Sequence, residues 1–167
     1  MLALGVVALL SFPNPVNEKA ARTVAAVVCA LSVLTLATGW YWLLAVLAYG
    51  FLARTLTGPT LSPLGRVATS LIGPRLGQPR PVPGPPKRFA QAIGAVMTSA
   101  AAIFALAAHD DTVAIVLLAL MIVASGLESI FAVCVGCELF SVLMRLGIVP
   151  ASVCAECANV ELRGEPA

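Results

Sequence analysis

Residues 23–53, TVAAVVCALSVLTLATGWYWLLAVLAYGFLA, carry no charged side chain and are bracketed by Arg22 and Arg54. A helix rises about 1.5 Å per residue, so roughly 20 residues cross a hydrocarbon core about 30 Å thick. The block is too long for one crossing and reads as two short helices, at about residues 20–37 and 40–56, turned at Thr38-Gly39. Glycine there takes the positive φ that ends a helix. Trp40, Tyr41 and Trp42 follow at once, and such amphipathic rings favour the headgroup level, which sets the turn at a membrane surface.

The pattern repeats downstream, with no charge between Arg88 and Asp110 and none between Asp111 and Glu128. A second hairpin is expected over 89–108 and 112–133, its last helix continuing to 147. His109, Asp110 and Asp111 form its polar tip. Three adjacent residues point in different directions, so this tip is read as a solvated turn and not as a metal site. Ala90, Gly94, Thr98 and Ala102 recur every fourth residue in the third helix, and small side chains at that spacing let bilayer helices approach closely. The apolar fraction is 60%, against about 45–50% for soluble proteins. The expected fold is all-α: one membrane domain over 1–167, an integral four-helix bundle of two helical hairpins.

Between the hairpins, the linker 57–88 holds Arg66, Arg75, Arg80, Lys87 and Arg88 and no acid, whereas neither hairpin tip carries lysine or arginine. The positive-inside rule then puts the linker and both termini in the cytoplasm. Residues 58–73 read as a short amphipathic helix on the inner surface, and the following QPRPVPGPPKR as an extended tether. The first twelve residues are apolar but too short to span, and lack the basic start and cleavage site of a signal peptide. A net charge of +2, with no basic run interleaved with aromatic residues, argues against a nucleic-acid partner. No G-x-x-x-x-G-K-[ST], G-x-S-x-G or H-E-x-x-H occurs, so nucleotide hydrolysis and serine chemistry have no basis.

Four of the five cysteines fall into two Cys-x-x-Cys pairs, Cys134 with Cys137 and Cys154 with Cys157. A helix running on from Thr112 brings Cys134 and Cys137 to the inner membrane boundary and sets Cys134, Cys137 and Glu138 on one face. It should end at Gly147, with Arg145 in its last turn, before Ile148-Val149-Pro150 turns the chain. Ser152 reads as the N-cap of a short C-terminal helix, VCAECANVEL, in the tail 148–167. That places Cys154 in the first turn, where free N–H groups stabilise a thiolate. On this reading Cys154 attacks and Cys157 resolves. Cys134, held back by Glu138 and apolar surroundings, stores or passes on oxidising equivalents with Cys137.

The function this suggests is a thiol–disulfide or sulfur relay with a soluble thioredoxin-like or rhodanese-like partner and no cofactor; whether it is an enzyme stays open. The alternative is a non-enzymatic scaffold holding structural zinc through Cys134, Cys137, Cys154 and Cys157, spaced C-x2-C-x16-C-x2-C, with Glu138 and Glu156 nearby to oppose it. Inert packing of small cysteines is a third reading, and the one assigned to Cys29. Glu128, an ionisable residue inside a span, is expected to pair with an arginine of the linker, to stay protonated or to move a proton. In a continuous helix it faces away from Cys134.

The segments FPNPVNEKAARTVAAVV (12–28), SPLGRVATSLIGPRLG (62–77) and CVGCELF (134–140), with the short first hairpin between them, resemble a bacterial membrane family called domain of unknown function 4395. The likeness runs from residue 12 over nearly the whole chain, and Cys134, Cys137 and Glu138 are its most specific element. It implies a four-span protein of the bacterial plasma membrane and brings no assigned activity or cofactor. Cys154 and Cys157 look like a feature of only some relatives.

Overall fold

The computed structural model describes residues 12–108, 110–154 and 157. In chain order the elements are β1 (Val16–Asn17), α1 (Glu18–Thr38), α2 (Leu43–Thr57) and α3 (Pro63–Val67). A π-helical turn at Ala68–Ile72 and a last turn at Gly73–Arg75 continue α3. Then come β2 (Pro81–Val82), α4 (Gly84–Leu106), α5 (Asp111–Phe131), α6 (Val135–Arg145) and a 3-10 turn at Ala151–Val153. Helices α1, α4 and α5 are long and apolar enough to cross a membrane. Helix α2 has 15 residues, which at the helical rise gives only about 22 Å.

Local chemistry accounts for most boundaries. The Asn17 side chain accepts a hydrogen bond from Lys19 N at 3.1 Å, and Glu18 lies in the first turn of α1, so the helix starts with both a cap and a favourable charge. It stops where expected, at Gly39 (φ 69°), whose N–H donates to Thr35 O at 2.9 Å. Asp110 caps α5 by accepting from Thr112 N at 3.0 Å. His109, residues 1–11 and most of the expected C-terminal helix lie outside the described residues.

Two expectations need correction. The proline-rich linker is not a free tether: Pro81–Val82 pairs antiparallel with Val16–Asn17, and Asn14 Oδ1 accepts from Gly84 N at 2.8 Å. Helix α4 then begins at Gly84, ahead of the expected residue 89, because Pro85 and Pro86 sit in its first turn, where a missing N–H removes no helical bond. The helix expected to run from 112 to 147 is in fact two. Helix α5 ends at Phe131, Ala132 adopts a left-handed φ of 60°, and Val133 N returns to Leu127 O at 3.2 Å before α6 starts. That return bond satisfies a carbonyl the helix end leaves free.

In the packed bundle α1 lies along α5 and α2 along α4, α4 and α5 also meet, and α6 rests on α4. The arms of the expected first hairpin therefore face the second pair more than each other. Small residues mediate the close approaches. Gly94 faces the Phe51 ring, and a Cβ on Gly136 would come within 2.6 Å of Ala90 Cβ. The fourfold stripe of α4 is thus used, by α2 at Gly94 and by α6 at Ala90. The interior is rich in Ala, Ser and Thr, while Val96 (70% exposed), Val123 (60%) and Phe131 (68%) point outward. Several buried hydroxyls bond back within their own helices, as when Thr35 donates to Leu31 O and Thr98 to Gly94 O, each at 2.7 Å; buried Ser32 Oγ has no partner among the described residues. Polar-small inside and large-apolar outside is how helices pack when their surroundings are hydrocarbon.

Candidate functional site

The break at Ala132 decides the setting of Cys134. Freed from α5, Cys134 takes an extended backbone and becomes the N-cap of α6. Its Sγ accepts from Cys137 N at 3.3 Å, and its carbonyl accepts from Cys137 N and Glu138 N, both at 3.0 Å. Negative charge on that sulfur would meet the positive end of α6. Cys134 and Cys137 are joined as a disulfide with Cα atoms 5.2 Å apart. Cys134 is 7% exposed, Cys137 half-buried and Glu138 exposed. The sequence ranks Cys134 as the poorer nucleophile because Glu138 and apolar surroundings oppose its ionisation; at a helix start the N–H groups of the first turn act in its favour.

Two clamps hold this junction. Arg22 reaches across from α1, its Nε and Nη2 donating to Ser129 O at 3.1 and 3.0 Å and Nη2 also to Ile130 O at 3.0 Å. A guanidinium thus covers carbonyls at the C-terminus of α5, where a cation is favoured. On the other side α6 is seated against α4 by Gly136 over Ala90 and by the Phe89 and Phe140 rings, 5.6 Å between centroids.

Glu128 is paired, but with Lys87 at 2.6 Å and not with an arginine. Arg54, also buried, spends its Nε on Gln91 Oε1 at 2.8 Å and its Nη1 on Ser62 Oγ at 3.3 Å, and its guanidinium carbon lies 4.7 Å from the Phe51 ring centre. These polar groups stand at the same end of the bundle as Cys134. Between α1, α4, α5 and α6 lies a cleft of about 330 Å³ whose wall includes Cys134, Glu128, Gln91 and Ser125 amid apolar side chains. Glu128 and Cys134 therefore face one space, which a continuous helix would have forbidden.

The tail pair is likewise a disulfide. Cys154 follows the 3-10 turn, Cys157 N donates to Cys154 O at 3.1 Å, and the two are disulfide-linked with Cα atoms 5.2 Å apart. Cys154 is 4% exposed and Cys157 half-buried. Ser152 lies inside the 3-10 turn; Glu156 is outside the described residues. Among the described residues no group of three or more His, Cys, Asp or Glu side chains is placed to hold a metal ion. Cys29 is a free cysteine whose Sγ points to Ile122 O at 3.7 Å.

Arg22, Lys87 and Gln91 were not singled out as site residues by the sequence. The available signal was position: Arg22 and Lys87 border the long uncharged blocks, where a cation can reach either a helix end or a buried acid.

The family described as domain of unknown function (DUF4395) matches residues 16–145, and the chain belongs to it. No curated protein and no solved structure matches the chain.

Proposed function

We propose that this member of the DUF4395 family is a membrane thiol–disulfide relay in which Cys154–Cys157 and Cys134–Cys137 alternate between disulfide and dithiol. The supporting observation is the cap geometry of Cys134, whose sulfur receives the Cys137 N–H at 3.3 Å at the start of an 11-residue helix. In thiol–disulfide exchange the leaving sulfur departs faster the better it carries negative charge. An incoming thiolate attacks the more accessible sulfur, Cys137 or Cys157, and expels Cys134 or Cys154. This reverses the order expected from sequence, in which Cys154 attacks first; the burial of both leading cysteines favours the reversal. The partner is a soluble dithiol protein of the thioredoxin-like kind.

The chain crosses the bacterial plasma membrane four times, with α2 as the short crossing, Trp40 and Trp42 at one surface and the basic linker and both termini in the cytoplasm. The exposed apolar faces of α4 and α5 and the lack of acid in the linker support this arrangement. The Cys134–Cys137 pair then lies at the cytoplasmic rim.

Oxidised glutathione tests the assignment of sulfurs. In a chain with Cys154 and Cys157 replaced by serine, the further change Cys134→Ser should let Cys137 accumulate a stable glutathione mixed disulfide, because no partner thiol of either pair resolves it; Cys137→Ser in the same background, which leaves buried Cys134 as the pair's one thiol, should label several-fold more slowly. Equal labelling of the two variants, or the reverse order, would remove the proposed roles.

A further inference from the structure

A molecule reaching Cys134 through the cleft must come by way of lipid. The cleft's exposed lining residues are Leu120, Val123, Val135 and Leu139, on faces of α5 and α6 turned to the surroundings. Its volume of about 330 Å³ lies at the lower end of the roughly 300–1,000 Å³ of small-molecule sites. A flat ring system fits such a space. The polar groups on the wall are few and placed. Gln91 gives its oxygen to Arg54 Nε and so keeps its amide N–H donors for another acceptor. Glu128, bonded to Lys87 Nζ, sets a carboxylate in a mostly apolar wall.

We propose that this cleft binds a membrane quinone, which accepts the electrons of the Cys134–Cys137 dithiol; the inference rests on the thiol relay proposed above. A lipid-soluble two-electron acceptor with carbonyl oxygens is what the apolar entrance, the Gln91 donors and an adjoining dithiol have in common. In the step, the two thiols give up two electrons and two protons and the S–S bond closes. The quinone takes up both electrons and both protons and leaves as the hydroquinone. The dithiol is restored when a soluble protein dithiol, working through Cys154–Cys157, reduces the disulfide and is itself oxidised. Draining thiol electrons into a quinone keeps such a relay running in the oxidising direction.

The full-length protein in lipid nanodiscs, reduced with dithiothreitol and desalted without oxygen, is mixed with decylubiquinone. Quinone absorbance and thiol alkylation are followed together. One quinone should be reduced for each Cys134–Cys137 disulfide formed. Val123→Trp, which crowds the entrance without touching a cysteine, should slow this step by at least about tenfold and leave cycling in glutathione buffers unchanged. If the wild-type cysteines cycle in glutathione but reduce no quinone, the quinone proposal is overturned and the relay stands. If they cycle in neither, the relay itself falls. An azidoquinone photolabel on the wild-type protein gives a second readout independent of any variant. Label within 120–128 or 134–139 supports the site. Label elsewhere, or label abolished by phospholipid alone, makes the cleft a lipid acyl-chain groove and overturns the proposal.

Discussion

Lys87 and Glu128 each have a side chain at most 16% exposed, with nitrogen and oxygen 2.6 Å apart. Removing one partner of so enclosed a pair leaves an uncompensated charge, whereas removing both does not. Lys87→Ala should therefore cost about 3 kcal/mol, read as a lower thermal midpoint in detergent, and the double variant Lys87→Met with Glu128→Leu should recover most of it. A double variant no more stable than the single would show that the ion pair is not what stabilises this interface. Ala132 offers a test of the opposite sign. An alanine at φ 60° bears a backbone penalty that glycine does not, so Ala132→Gly should stabilise the protein by about 1 kcal/mol. No gain would mean that the turn is held otherwise. At this scale the sequence shows that Glu128 needs a partner, since an acid in a long apolar run has little else to do. It does not show which cation, because Lys87 lies 41 residues away and reaches Glu128 only after α4 and α5 are packed.

The long apolar helices were legible as elements because bilayer thickness and uncharged length are compared directly, and Gly39 and Asp110 mark helix ends with the residue types such ends prefer. The break before Cys134 was not legible. Residues 132–134 contain no glycine or proline, and an Ala in the left-handed region is the rarer way to stop a helix. Its cause is tertiary: Arg22 occupies the end of α5 and Gly136 pulls α6 onto α4. Substituting Gly136 with Val tests that dependence, since its side chain would collide with Ala90. Overpacking of this kind costs about 1–3 kcal/mol. Circular dichroism should show near-normal helix content while glutathione labelling of the Cys134→Ser background at Cys137 changes rate. An unchanged rate would mean that the seating of α6 does not set the reactivity of the pair.

For the whole molecule, the inward small and hydroxyl side chains and outward Val, Leu, Ile and Phe make the bundle fit hydrocarbon, and the proposed orientation rests on the basic linker. Single cysteines placed in an otherwise cysteine-free chain report that orientation on intact cells. A membrane-impermeant maleimide should label a cysteine at Ala108, in the hairpin tip, and spare one at Gln78, in the linker. The reverse pattern would put the relay on the other side. Composition made the membrane setting visible, because it is a property of the average residue. The setting of the Cys134–Cys137 pair was less visible, because it depends on where one helix starts and which cleft it borders. The most direct test of the relay is a redox titration of the purified protein in glutathione mixtures, with alkylated cysteines counted by mass and zinc measured on the same sample. The relay predicts that Cys134 with Cys137, and Cys154 with Cys157, pass reversibly between two thiols and none in metal-free protein. Four thiols that stay free at every ratio, or stay masked by bound zinc, would contradict it.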